Sequence, residues 1–178
     1  MSLFKDLEIE AFRAGITPRT KASIEWFRTK AGQLGRVGAN SVMRDEAIKL
    51  TNSVKKGPLG NMYMYYYDPK TKDKLPYYDK FPLIIMYGAA PGGFYGLNLH
   101  YLPPTVRAKA LDALLGEGSV PGKFIKPAIK RYLMSHVRSR FALVDKPEWE
   151  IATFLPTADW NKANANTVYR DSRKKLRS

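Results

Sequence analysis

FPLIIMYGAAPGGFYGLNLHYL, residues 81–102, contains no Lys, Arg, Asp or Glu. Two apolar runs, Phe81 to Tyr87 and Phe94 to Leu102, flank Pro91-Gly92-Gly93. Runs of that length, rich in β-branched and aromatic residues and separated by Pro and Gly, read as two antiparallel strands joined by a turn. Such a hairpin needs further strands and a cover for its apolar face.

Those neighbours are legible on both sides. Upstream, Met62 to Tyr67 (MYMYYY) reads as a strand, and Asp68 to Lys74 (DPKTKDK) as the polar turn that leaves it. Downstream, Pro103-Pro104 stops the sheet. Thr105 to Leu115 sets Val106, Ala110, Leu111, Leu114 and Leu115 on one side of a helix that Gly116 and Gly118 end. The spacing of Ile129, Leu133 and Val137 predicts another helix over 127–137. Alternation in Glu148 to Leu155 (EWEIATFL) predicts a returning strand, and Pro156 to Trp160 opens a last helix with a basic end.

The first third reads as helices over Leu3 to Phe12, Pro18 to Leu34 and Ser41 to Leu50, followed by a linker, Ser53 to Gly60. The expected class is α+β: a small antiparallel sheet of about four strands, with N-terminal and C-terminal helices packed around it. Residues 1–55 form the helical N-terminal region and 56–178 the core with its basic C-terminal helix, together one folded unit.

Around the neutral centre the chain is cationic, with 30 Lys+Arg against 16 Asp+Glu and a formal charge of +14. Such a surface attracts polyanions, because binding releases the counterions condensed on phosphates. The candidate phosphate contacts fall in three groups. Arg19, Lys21, Arg28 and Lys30 lie in the helical first third. Lys123, Lys126, Lys130, Arg131, Arg138 and Arg140 occupy a stretch without acids. Arg170, Arg173, Lys174 and Lys175 sit near the C-terminus. The competing reading of each group is a solvated helix face. From Arg170 to Ser178 only Leu176 offers apolar surface, so this arm is expected to order only on a polyanion or a partner, the last packed turn ending at Val168 and Tyr169.

Catalytic signals are poor. The absence of cysteine excludes disulfides, thiolate zinc sites and cysteine nucleophiles. His100 and His136 are the only histidines, and His100, inside an apolar run, reads as a hydrogen-bonded structural residue. Asp68, Asp73 and Asp79 bracket a lysine-rich turn and read as turn chemistry, not as a carboxylate metal site. The glycines of Gly88 to Gly96 lack the following helix and the Lys-Ser/Thr pair of a nucleotide-binding loop. Tyr63, Tyr65, Tyr66, Tyr67, Tyr77 and Tyr78 offer base-stacking surfaces. Met62 to Tyr67 holds no basic residue, however, so packing on the core is the preferred reading. No metal, cofactor or catalytic residue is expected. The acids within MSLFKDLEIEAFRAG argue against a signal peptide, and no window of apolar residues is long enough for a transmembrane helix.

Several strings resemble small proteins of T4-like tailed bacteriophages. They are Tyr78-Asp79-Lys80-Phe81-Pro82-Leu83, the run Gly93 to Pro103, and Arg107 with Leu111-Asp112. Trp149-Glu150-Ile151-Ala152, Phe154-Leu155-Pro156 and Tyr169 to Lys174 continue the pattern, so that it covers residues 60–175. The resemblance implies a virion-associated or DNA-end-associated protein and carries over no catalytic residue. The expectation is a non-enzymatic phage protein, in the virion or in the host cytoplasm during assembly, that contacts DNA or DNA ends through its basic patches. The alternatives are a neck, tail or baseplate subunit meeting acidic protein neighbours and, behind it, a DNA-processing nuclease.

Overall fold

The hairpin of residues 81–102 lies at the middle of a five-stranded antiparallel sheet in the computed structural model, which describes residues 9–17, 22, 26, 60–116, 121–139, 141–144, 146–154 and 157–177. Its strands are β1 (Met62–Met64), β3 (Leu83–Ala90), β4 (Gly93–Asn98), β5 (Ile129–Leu133) and β6 (Ala142–Val144), in the spatial order β5-β4-β3-β1-β6. A separate two-stranded ribbon pairs β2 (Tyr78–Asp79) with β7 (Trp160–Asn161). Helices α1 (Pro104–Leu115), α2 (Gly122–Ile125), α3 (Trp149–Phe154) and α4 (Ala165–Arg177) complete these elements.

Side chains alternate across a strand, and both faces of this sheet are buried. Met62 and Met64 of β1, Leu83 and Ile85 of β3 and Leu97 of β4 join the first core, which Leu111 of α1, Trp149 and Ala152 of α3 and Val168 of α4 cover. Tyr63, Ile84, Met86, Phe94 and Tyr132 point the other way, into a second core with Tyr65 and Tyr67. Phe141 packs against that core, its ring centroid 4.6 Å from that of Tyr65. The tyrosine run is therefore packing material, as its lack of basic residues suggested. At the N-terminal side, residues 9–13 are helical, and Ala11, Ile16 and Trp26 reach the first core.

The β3–β4 turn has Gly92 at φ 69°, a conformation side chains disfavour. Next to it, a Cβ at Gly93 would overlap the Tyr132 carbonyl oxygen, so glycine is what lets β5 close on β4. Leu99 is fully buried in the first core. Its replacement by Ala is expected to destabilise the protein by about 2–5 kcal/mol in chemical denaturation, and a loss well under that range would mean that the segment is not core.

Several expectations are corrected. The helix expected over 127–137 is strand β5, with 3₁₀ turns at Lys126–Ala128 and Met134–His136. Its Ile129, Leu133 and Val137 do fit a helical stripe. The open edge of β4 offers a ladder from Gly93↔Leu133 to Leu97↔Ile129, and only the strand sends Tyr132 into the aromatic core. The strand expected over 148–155 is a 3₁₀ turn, Lys146–Glu148, followed by α3. There the buried residues Trp149, Ala152 and Thr153 follow helical spacing, and α3 packs on α1.

The strand expected over 94–102 ends at Asn98. Asn98 Oδ1 accepts from the His100 backbone N–H at 2.9 Å and turns the chain into a 3₁₀ segment, Leu99–Tyr101. The last helix begins at Ala165, not near Trp160, with Asn164 Oδ1 accepting from the Thr167 N–H. It runs to Arg177 and is packed one turn beyond Tyr169: Ser172 is buried and donates its hydroxyl to the Tyr101 carbonyl at 2.9 Å. The expected helices over 18–34 and 41–50, apart from Ala22 and Trp26, and the division near residue 55 lie outside the described residues.

Candidate nucleic-acid interface

A buried polar knot underlies the site. Asp79, read from the sequence as turn chemistry, is only 3 % exposed and has four donors. Its Oδ1 accepts from the backbone N–H of Phe81 at 3.0 Å and of Asp159 at 3.1 Å. Its Oδ2 accepts from His100 Nδ1 at 2.6 Å and from Asn98 Nδ2 at 3.2 Å. The second Asn98 Nδ2 proton goes to the Tyr132 hydroxyl at 3.1 Å, and His100 Nε2 lies 3.2 Å from Thr157 Oγ1. Burial alone would raise the Asp79 carboxyl's pKa. The adjacent His100 and the two backbone N–H groups outweigh it, and the net shift is downward. The knot ties β2, β4, the 3₁₀ segment after β4, β5 and the chain before β7 to one carboxylate.

Above it lies a cleft of about 380 Å³. Asp79, Tyr78 and Tyr132, all buried, form its floor. Tyr67, Tyr77 and Tyr101 contribute aromatic wall, and Lys70, Lys130, Arg131 and Lys175 contribute charge. Each wall has a cause in the fold. Pairing of β5 with β4 delivers Lys130 and Arg131, and Tyr67 Oη accepts the Leu133 backbone N–H at 3.0 Å. The Ser172 bond to Tyr101 holds α4 so that Lys175 faces the cleft. The loop from Pro69 to Pro76 is tied down by Lys162, whose Nζ donates to the carbonyls of Lys72 at 2.7 Å and Leu75 at 3.3 Å.

Lys130 dominates the electrostatics. Its Nζ sits 4.2 Å from the centre of the Tyr101 ring, a cation–π contact. Burial, and then the neighbouring Lys175, depress its pKa to about 8. Half-buried Lys130 and exposed Lys175 thus repel one another at the cleft, a setting that an anion would relieve.

Of the sequence candidates, the fold brings together Lys130, Arg131 and Lys175, which come from two of the three basic groups. Arg131 is exposed and donates to the Pro91 carbonyl at 2.6 Å. Lys123, Lys126, Arg173 and Lys174 are exposed outside the cleft lining. Arg138 and Arg170 are also outside it, each 3.8 Å from a carboxylate, Asp68 and Asp171 respectively. Arg19, Lys21, Arg28, Lys30 and Arg140 lie outside the described residues. Sequence reasoning missed Lys70 and Tyr101 as site residues. Lys70 stands in a turn whose charges looked merely solvating, and Tyr101 in a segment read as buried strand. Among the described residues no group of His, Asp and Glu is placed to hold a metal ion, and no helix is long and apolar enough to cross a membrane.

Fold and site together define an α+β protein with a cationic, tyrosine-walled cleft. The family model described as Phage T4 terminal DNA protecting protein matches residues 7–121, more than half of the chain, and the chain belongs to that family. The match takes in the hairpin and α1, extends further toward the N-terminus than the strings that first suggested phage proteins, and stops before β5. No curated protein and no solved structure matches the chain.

Proposed function

We infer that this chain is a non-enzymatic phage protein that binds and shields DNA ends, as a component of the virion or in the host cytoplasm during assembly. The observation that carries this reading is the convergence of Lys130, Arg131 and Lys175 on one aromatic cleft, in a chain of formal charge +14 from a family named for protecting terminal DNA. Lys123, Lys126, Arg138, Arg170, Arg173 and Lys174, with Arg19, Lys21, Arg28, Lys30 and Arg140, serve as further contacts to the phosphate backbone. Such contacts position a duplex without reading its sequence.

The test is binding to two unrelated linear duplexes across a salt series. With about five phosphates neutralised, log K should fall against log salt with a slope of about −4 to −5, alike for both sequences. In the same samples, bound protein should slow digestion from the ends by an exonuclease. No binding at low salt, or a flat salt dependence, would favour a structural phage subunit whose basic residues meet acidic protein neighbours. Metal-dependent cleavage of the duplex would favour a nuclease.

A further inference from the structure

We propose that the cleft between β5, α4 and the loop from Pro69 to Pro76 seats a single terminal nucleotide of a DNA strand, its phosphomonoester held by Lys130, Arg131 and Lys175 and its base laid against tyrosine. The proposal rests on the reading of the chain as a DNA-end binder and names the part of the end that is recognised.

Shape comes first. Buried Tyr78, Asp79 and Tyr132 line the cleft together with exposed residues at its mouth. A strand terminus enters from the rim, where Lys70, Arg131 and Lys175 are exposed. The volume, about 380 Å³, lies in the range of pockets that hold one small ligand, roughly 300–1,000 Å³.

Charge comes second. Lys130 lies on the Tyr101 ring, and no carboxylate among the described residues pairs with it. Asp79 brings a carboxylate to the lining, its charge directed into four donors with His100 among them, and Asp171 lies 3.8 Å from Arg170. A phosphomonoester carries about −1.5 to −2 near neutral pH, more than the single charge of an internal phosphodiester, so a cluster of cations favours the end of a strand over its interior. The half-buried ring of Tyr77 accepts any base, as suits a protein that must take ends of any sequence, while buried Tyr101, already covered by Lys130, is wall only.

The experiment uses the full chain and one DNA sequence in several forms. These are a linear blunt duplex with 5′-phosphate, 3′-phosphate or hydroxyl-only ends, and a covalently closed circle. One of the phosphorylated forms should bind about tenfold more tightly than the hydroxyl-ended duplex and the circle, the worth of one charge-assisted contact. Lys130→Gln should erase that preference, weakening the phosphorylated form far more than the hydroxyl-ended duplex or the circle. Lys175→Gln, made at an exposed position, should do the same and keeps the test decisive if Lys130→Gln fails to fold.

Equal affinity for every form, or variants that weaken all forms alike, would overturn the cleft assignment while leaving DNA binding intact. Absence of binding to any duplex would instead remove the DNA-binding reading itself. Titration with a dinucleotide phosphorylated at 5′ and, separately, one phosphorylated at 3′, followed by NMR, then decides for the cleft. Shifts at Tyr67, Tyr77 and Tyr101 that Lys130→Gln abolishes uphold it, and no shifts overturn it.

Discussion

Asp79→Ala is expected to destabilise the fold by about 3–5 kcal/mol, the cost of removing a buried carboxylate and leaving its donors unpaired. His100, Asn98 and the backbone N–H groups of Phe81 and Asp159 would all lose their acceptor. Asp79→Asn keeps the shape, removes the titrating charge and sets an amide NH2 against two of the donors. The folded carboxyl has a lowered pKa, so the unfolded chain holds the proton more readily and acid favours unfolding. The stabilisation is therefore complete above the ordinary carboxylate value of about 3.9 and fades as pH falls from there through the lowered folded value. Urea denaturation of wild type and Asp79→Asn across that range measures it. The wild type should lose more stability than the variant on acidification, and parallel curves would show that the carboxylate does not contribute as a charge.

Phe94→Ala should cost a similar amount, about 3–5 kcal/mol, for another reason. Phe94 is buried at the middle of the second core, stacked on Tyr132 at 5.4 Å between centroids and edge-on to Tyr65 at 5.9 Å. Truncation opens a cavity between rings that hydrogen bonds elsewhere hold in place: Asn98 fixes the Tyr132 hydroxyl, and the Leu133 N–H fixes that of Tyr67. Those rings cannot collapse freely, so the upper part of the range is expected. Because Tyr132 is part of β5, the same change should raise amide exchange across Ile129–Leu133, the strand that carries Lys130 and Arg131 into the cleft. Phe94→Leu, which keeps most of the volume, should recover much of both effects. A Phe94→Ala protein with unchanged melting and unchanged exchange in β5 would show that the aromatic core does not hold the strand.

The division between what was legible and what was not follows the range of the interactions. The chain by itself determined the hairpin at residues 81–102, because an uncharged run broken by Pro91-Gly92-Gly93 has few other ways to bury itself. It determined helix α1, whose stop at Gly116 is a local backbone signal with φ 80°. Composition determined the cationic surface, and the absence of basic residues from Met62 to Tyr67 already marked those tyrosines as packing residues. Only the tertiary structure decided β5 and α3, where the periodicity admitted the wrong element. In β5 the free edge of β4 prevailed over an apolar spacing that suits a helix. In α3 packing against α1 prevailed over alternation. The role of Asp79 was equally out of reach, since its donors at Asn98, His100 and Asp159 lie 19 to 80 residues away. The cleft depends on the same long reach. Lys130 and Lys175 become neighbours because Ser172 bonds the Tyr101 carbonyl and β5 pairs with β4. Residues so far apart in the chain leave no local pattern that would announce their meeting.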